Sequence, residues 1–542
     1  EANRKAFTGK TGPVRGFGAG AAYPQVWLRD SATLIPITRY YYSVEYIRSW
    51  LEEHLAHQQE DGSMYDWIAP GPAASFQNVA PQVREVYREN GLVISADKNT
   101  TEADQEASAV IAAAYGFRIT GDLAWLEKDV GGRPLIERLD RALSYLLTDR
   151  FDVRYGLVTN AFTADWGDVS PVYPDQRAIY ADEATPRVIG LYTNALFYRA
   201  AMDLSELYRR LGRGDRADFW RERAAAVREN INRHLWQESR GFYRMHRVLT
   251  PWHEVNAWDD ADVLALGGNA LAVLYGIADD RQVGRILEAV EVRRRQFQIS
   301  TIAAVLLPPY PRGFFRHPMM SEPYVYQNGG QWDWFAGRWI LGEFERGYAR
   351  RAYRHLVEIA ERVVRNGGFY EWYTRDDRGR GSPSYAGSAA AIGQALLEGL
   401  FGIYLSHSEL SLKVRLGEQS GRVHVYQPAT GTYVTYRYDS SAEVIRFHYR
   451  SNFSRPGFVS LRLPQARKPM RLVLDGKATR FQTEVVGEDI YVTFSTDWKP
   501  HQVEVILQKT PTDSLLHPVE ASSVTPPELR IKTLGPGRSR RG

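Results

Sequence analysis

From about Ser31 to His407 the apolar residues recur with a helical period, and near Ser408 that period gives way to one of two. This single switch constrains the chain more than any other feature. The spacing predicts helices over Leu34 to His57, Glu102 to Ile119, Leu135 to Leu147, Ile189 to Leu211, Ala217 to Leu235, Asp262 to Ile277, Val283 to Val290, Ile340 to Val364 and Ala389 to Leu405. A short glycine-centred turn with apolar or aromatic residues follows several of them. It occurs at Asp61-Gly62-Ser63-Met64, Tyr155-Gly156-Leu157-Val158, Arg240-Gly241-Phe242-Tyr243 and Gly367-Gly368-Phe369-Tyr370. Helix pairs separated by such turns predict antiparallel hairpins closed into a ring, an (α/α) barrel. An open solenoid would have repeats of more regular length. In a ring, the loops at one end converge on a central cavity.

Beyond the switch, Val414 to Gln508 alternates Val, Tyr, Thr and Phe with polar residues, between turns rich in Gly, Asp and Asn. This predicts an antiparallel β-sandwich whose every second side chain faces a core. No catalytic cluster lies in it, and an accessory role follows. The expected organisation is therefore mainly α: a barrel over residues 1–409, a β-sandwich over 410–509, and a tail over 510–542 rich in Pro, Ser and Arg.

Composition removes several classes of function. The chain has no cysteine, so disulfides, thiolate nucleophiles and Cys-based metal sites are excluded. Its 12 histidines are scattered without an HExxH run, and neither a metal nor another cofactor is expected. Net charge is only +4, and the one basic cluster, Arg538, Arg540 and Arg541, reads as a solvated tail and not a nucleic-acid footprint. No run of 18 apolar residues is free of charge, so no membrane helix is expected. The chain starts at Glu1 without a visible signal segment. The expectation is a soluble protein, either cytoplasmic or exported with an N-terminal signal removed.

Its 14 Trp and 32 Tyr point elsewhere. Many stand beside Gly, Asp and Asn in polar loops, where they make amphipathic surfaces suited to carbohydrate. In Tyr23-Pro-Gln-Val-Trp27-Leu-Arg29-Asp30 an aromatic ring, a guanidinium and a carboxylate precede a helix. Such a ring covers the C–H face of a pyranose, while Arg and Asp form charge-assisted hydrogen bonds to its hydroxyls.

Three further runs carry acids. Asp165-Trp166-Gly167-Asp168 sets two carboxylates beside a Trp and Pro171. Burial in such a wall raises a carboxyl pKa toward the protonated state that a general acid needs. Glu322 to Phe335 gathers aromatics, amides and carboxylates around Gly329-Gly330, with Gln331, Trp332 and Asp333 at its end. The third run, Gly367 to Tyr373, sets Glu371 among Phe369, Tyr370, Trp372 and Tyr373. With Glu371 as base and an Asp of the first run as acid, facing carboxylates would support inverting glycoside hydrolysis. Lys98, Asn99 and Asp104 open a helix at a barrel end and are further candidates for sugar contact.

The ordered set resembles known glycosidases. Val26 to Ala32 looks like the substrate-clamping segment of family 15 glucoamylases and family 125 exo-mannosidases. Gly330-Gln331-Trp332-Asp333 resembles the Gln-Trp-Asp signature of family 37 trehalases. Asp168-Val169-Ser170-Pro171 resembles the Trp-Asp-Phe-Ser-Pro acid motif of families 37 and 63, with Gly167 in place of its Trp and Trp166 one residue earlier. Phe369 to Tyr373 resembles the base segment of those families. The resemblance runs from Tyr23 to about Leu405. It implies an (α/α)6-barrel, six-hairpin glycosidase, inverting, cleaving α-glucosides or related α-glycosides from the non-reducing end. By that analogy Asp168 is the acid, with Asp165 as the other candidate, and Glu371 is the base. Trp27, Arg29, Asp30, Trp166, Gln331, Trp332, Asp333, Tyr370 and Trp372 would bind an oligosaccharide or glycoside. A disaccharide phosphorylase on the same barrel, with phosphate in place of water, and a non-catalytic glycan-binding protein are the competing readings. The first needs a basic pocket, for which Arg338 and Arg375 are the candidates.

Overall fold

The computed structural model describes residues 2–250 and 260–509. The predicted tail over 510–542 lies outside the described residues. The fold mixes helix and sheet, with 36% helix and 27% strand, so its strand share exceeds what "mainly α" implies. The extra strands are short. They include an N-terminal hairpin, Arg4–Gly9 with Gly12–Phe17, and a sheet in which Val26–Trp27 pairs with Trp67–Pro70 and through it with Leu92–Asp97.

The helices are α1 Leu28–Thr38, α2 Glu45–Ala56, α3 Gln105–Thr120, α4 Leu123–Glu127, α5 Leu135–Thr148, α6 Leu191–Arg210, α7 Gly214–Leu235, α8 Leu266–Leu274, α9 Asp280–Gln296, α10 Asp333–Glu345, α11 Ala349–Arg365 and α12 Ala386–Gln394. Two kinds of helix are present. Along α3, an Ala-rich segment, nearly every residue is buried, so it is surrounded by protein. Along α7, burial is one-sided: Ala217, Trp220, Ala224, Val227, Ile231 and Leu235 form a stripe at helical spacing. The packing partners follow from this difference. Helix α1 packs on α3, α3 on α6, α6 on α8, α8 on α10, α10 on α12, and α12 returns to α1. The one-sided helices lean on this cycle, α7 against α6 and α11 against α10.

Three predicted helices divide or end early, each for a local reason. The segment Leu34 to His57 is two helices. Pro36 lacks an N–H for the helical ladder, α1 stops at Thr38, and α2 begins at Glu45. Ile340 to Val364 spans α10 and α11, which Gly347 separates with φ of 82°. Only glycine fits there, since a Cβ would lie 1.8 Å from the Val486 carbonyl oxygen. Beyond α12 the backbone widens to a π-turn over Ala395–Leu400, and Ile403–Leu405 is a strand.

The C-terminal region has two sheets. One, of five strands, runs Ile403–Leu405, Leu410–Val414, Gly457–Arg462, Asp489–Thr496 and Gln482–Val486. The other has six, led by Gly421–Gln427, Thr432–Ser440 and Val444–Ser451. Tyr449 of the second meets Thr496 and Trp498 at the first. The pairing is antiparallel except that Leu410–Val414 runs parallel to Gly457–Arg462, which corrects the all-antiparallel expectation. The intervening 421–451 meander in the other sheet supplies the crossover that a parallel pair requires. No helix among the described residues is long and apolar enough to cross a membrane.

Candidate active site

The site is assembled where helices of the inner cycle begin. Arg29 and Asp30 lie in the first turn of α1, Asp104 caps α3, Trp332 caps α10 and Tyr385 caps α12. Side-chain bonds tie these ends together.

Arg29 is the hub. Its Nη2 donates to Asp168 Oδ1 at 2.8 Å, and its Nη1 donates to Asp104 Oδ2 and the Trp166 carbonyl, each at 3.2 Å. Glu102 stands 3.3 Å away. The guanidinium carbon also lies 5.6 Å from the ring centroids of both Trp166 and Trp334, and the residue is 6% exposed.

Asp168 is fixed from every side. Its Oδ2 accepts from Gln327 Nε2 at 2.8 Å and from the Tyr326 hydroxyl at 3.3 Å. Its carbonyl accepts from Asn99 Nδ2 and Thr101 Oγ1. Burial pushes this carboxyl up, but the Arg29 charge and the hydrogen bonds outweigh it and hold its pKa below the usual value.

Glu371 lies on the strand Tyr370–Tyr373, paired with Gly379–Pro383. Alternation buries Glu371 and Tyr373 and leaves Tyr370 and Trp372 half-buried. The Tyr23 hydroxyl donates to the carboxylate at 3.0 Å from both oxygens, and the Ser382 N–H donates to Oε2 at 2.8 Å. Gly381, with φ of 69°, lets the carboxylate lie against the opposite strand, where a Cβ would come 2.4 Å from Oε2. Burial, helped by the charges of Asp168 and Asp30, lifts the Glu371 pKa to about 7 against those two hydrogen bonds. Glu371 and Asp168 thus share one electrostatic environment. Tyr326, bonded to Asp168, feels the charge of both.

The other acid of the first run points elsewhere. Asp165 Oδ2 accepts from the Gly268 N–H at 3.0 Å, in the first turn of α8. It lies behind Trp166, which stacks on Phe335 at 4.5 Å. Burial lifts the Asp165 pKa to about 7, so the effect expected of this run acts on Asp165 and not on Asp168.

Of the predicted sugar-binding residues, Trp27 is half-buried, 6.3 Å from Tyr23 and 6.2 Å from Trp67 by ring centroids. Asp30 accepts from the Tyr385 hydroxyl at 3.0 Å, and burial raises its pKa against the pull of Arg29 and that bond. Trp372 lies 6.4 Å from Tyr326, whereas Tyr370 packs over Gly379 in its own hairpin. Trp332 is buried, donates to the Tyr326 carbonyl and sets the Tyr326 ring from 5.1 Å.

Gln331 and Asp333 are fully buried and engaged in the framework. Gln331 accepts from Thr301 and Arg362 and donates to Asp377 and the Thr374 carbonyl. Asp333 pairs with Arg362. Lys98 is spent on Glu106 and the Met64 carbonyl, and Asn99 and Asp104 hold Asp168 and Arg29 from behind.

Sequence reasoning missed Tyr23 as a functional group, although it opens the first run, and it missed Tyr326, Gln327, Glu102, Ser382 and Tyr385. The signal for Gln327 and Tyr326 lay in the Gly329-centred run. Tyr385 and Ser382 carried none. Among the described residues no group of His, Asp and Glu is arranged to hold a metal ion. Nor, among the described residues, does a dense basic pocket surround Glu371. Arg375 donates to the Phe297 carbonyl, and Arg338 lies against Trp334 and Phe335.

Residues 23–388 match the family model of the mannosylglycerate hydrolase MGH1-like glycoside hydrolase domain. The chain belongs to this family. It is a glycoside hydrolase, and its matched segment spans every site residue described above.

Among solved structures this glycoside hydrolase is similar to an α-L-rhamnosidase from Dictyoglumus thermophilum, with TM-score 0.57 and 13% identity over 89% of this chain and 46% of that one. It is similar also to a Streptomyces avermitilis α-L-rhamnosidase complexed with L-rhamnose, with TM-score 0.54 and 14% identity over 88% and 38%. A GH63 mannosylglycerate hydrolase from Thermus thermophilus, in complex with Tris and D-glycerate, gives TM-score 0.50 and 18% identity over 70% of this chain and 95% of that one. At such identities the likeness is one of fold. The chain spans less than half the length of the two rhamnosidases. No curated protein matches.

Proposed function

We propose that this glycoside hydrolase is an exo-acting, inverting α-glycosidase on an (α/α)6 barrel over residues 1–409, with 410–509 as an accessory β-sandwich. Asp168 and Glu371 are the carboxylate pair. One observation carries the reading: a single short segment holds both, Arg29 gripping Asp168 and Tyr23 gripping Glu371. In this reading Asp168 protonates the leaving oxygen and Glu371 activates water on the opposite face of the sugar. Trp27, Asp30 and Trp372 frame the sugar. Arg29 acts on it through Asp168, while Trp166 and Trp332 back the wall. The substrate is an α-glucoside or related α-glycoside. Mannosylglycerate joins the screen because the Thermus neighbour is a mannosylglycerate hydrolase.

A second reading exchanges the two roles. It is favoured by the resting electrostatics, which keep Asp168 ionised and hold Glu371 near 7. Leaving-group dependence separates the two. Asp168→Asn and Glu371→Gln are each expected to lower turnover about 10²–10⁴-fold on an unactivated glycoside. On a dinitrophenyl glycoside, which leaves without a proton, the acid variant recovers and the base variant does not. Recovery of Asp168→Asn alone supports the first reading, and recovery of Glu371→Gln alone supports the exchange. Near-normal activity of both variants on the unactivated glycoside rejects the pair.

A further inference from the structure

Beneath the site a separate cavity of about 400 Å³ runs along the inner helices toward the first strands of the β-region. Its wall includes Arg29 and Thr33 of α1, Tyr192 and Arg199 of α6, and Arg338 and Glu345 of α10. The hydrolytic reading assigns it nothing.

The cations on this wall are unequal. Arg29 has Glu102, Asp104 and Asp168. Arg199 has Asp203 at 2.9 Å, and Arg415 has Glu345 at 2.9 Å. Arg338 has no carboxylate among the described residues. Its Nη2 donates to Thr33 Oγ1 at 2.7 Å, and its carbon lies 5.2 Å from the Trp334 and Phe335 ring centroids. Its Nη1 is buried without a hydrogen-bond partner.

Two more donors on the same wall are also orphaned. The Tyr192 hydroxyl, on a residue 2% exposed, meets the Arg338 guanidinium, which cannot accept its proton, and Arg29 Nε has no hydrogen-bond partner. A buried donor left unmatched is costly, and an uncompensated buried charge costs more. Water would satisfy the donors but not the charge. A dianion such as phosphate would bring one charge too many for a single free guanidinium.

We propose that this cavity binds one small monovalent anion of the halide class, held by Arg338 Nη1 with the Tyr192 hydroxyl and Arg29 Nε. Arg29 lines this cavity and also bonds Asp168. An anion there draws on the Arg29 charge that Glu102, Asp104 and Asp168 share, so halide is a modulator of the Asp168 carboxylate. Binding itself does not depend on which carboxylate is the acid.

The test uses the intact enzyme. Crystals grown in sodium bromide are measured at the bromine absorption edge, and an anomalous peak in hydrogen-bond reach of Arg338 Nη1 is expected. In solution, thermal unfolding is followed in sodium bromide and in sodium gluconate at matched ionic strength. The wild type is expected to be stabilised by bromide, with half-saturation moved about tenfold higher or lost in Arg338→Gln and retained in Arg338→Lys. An ordered water in place of the peak, or a bromide response identical in wild type and both variants, overturns the proposal.

Discussion

The Tyr23 hydroxyl stands 3.0 Å from each carboxylate oxygen of Glu371, a bond between residues 348 positions apart. The hydrogen bond favours the ionised form and works against burial, which lifts this carboxyl to about 7. Tyr23→Phe removes it, so the Glu371 pKa rises. With Asp168 held ionised, the proton the pair needs rests on Glu371, so the alkaline limb of kcat/KM against pH moves to higher pH. An unmoved limb would show that Tyr23 does not tune this group.

The same value sets the wild-type profile. The pair needs one proton between its two carboxyls, and with Asp168 held ionised that proton rests on Glu371, so kcat/KM is expected to fall as pH rises through about 7, whichever carboxyl is the acid. A pH series on one α-glycoside measures this directly.

Asp165 offers a stability test separate from catalysis. Its folded pKa of about 7 lies above its ordinary value of 3.8, so the folded state binds its proton more tightly than the unfolded state. The stability it contributes is complete below about pH 4 and is lost as pH rises through 7. Asp165→Asn, which removes the buried charge, is expected to flatten that loss and to melt higher than wild type at pH 8. Turnover is expected to stay within a few-fold of wild type, because the side chain faces α8.

Asp333 and Arg362 form a fully buried pair. Removing Asp333 leaves buried Arg362 only Asp377, at 3.5 Å, as a carboxylate partner, a change that costs up to about 3–5 kcal/mol. Asp333→Ala should therefore lower the melting temperature sharply while KM of the remaining folded enzyme changes little. A normal melting temperature with a raised KM would instead place Asp333 on the sugar.

Arg29→Lys keeps the charge but not the fork that reaches Asp168, Asp104 and the Trp166 carbonyl together. A loss of kcat/KM of about 10–100-fold is expected, the scale of one or two charge-assisted hydrogen bonds. Steady-state kinetics on a folded variant checks it.

Much of the helical and sheet layout was legible because burial imposes a period. The Ala-rich α3 and the striped α7 announce their surroundings in their composition. Boundaries were harder. A proline two residues before a helix end, and a glycine forced by the close Val486 carbonyl, depend on neighbours far along the chain. At the site, the runs around Arg29, Asp168 and Glu371 stood out by the density of charge and aromatic rings. The division of labour inside them did not. Gln331 and Asp333 look like Asp30 in sequence, yet Arg362, from a helix with no such motif, turns them into framework. Likewise Asp165 and Asp168 are three residues apart. Only the backbone at Asp165, with φ of 59°, sends one to α8 and the other to Arg29.

The central claim is that Asp168 and Glu371 act on one α-glycosidic bond from opposite faces, one protonating the leaving oxygen and the other activating the attacking water. Proton NMR of the first sugar released, recorded before mutarotation, tests it most directly. The β-anomer is predicted, and an initial α-anomer would contradict the account.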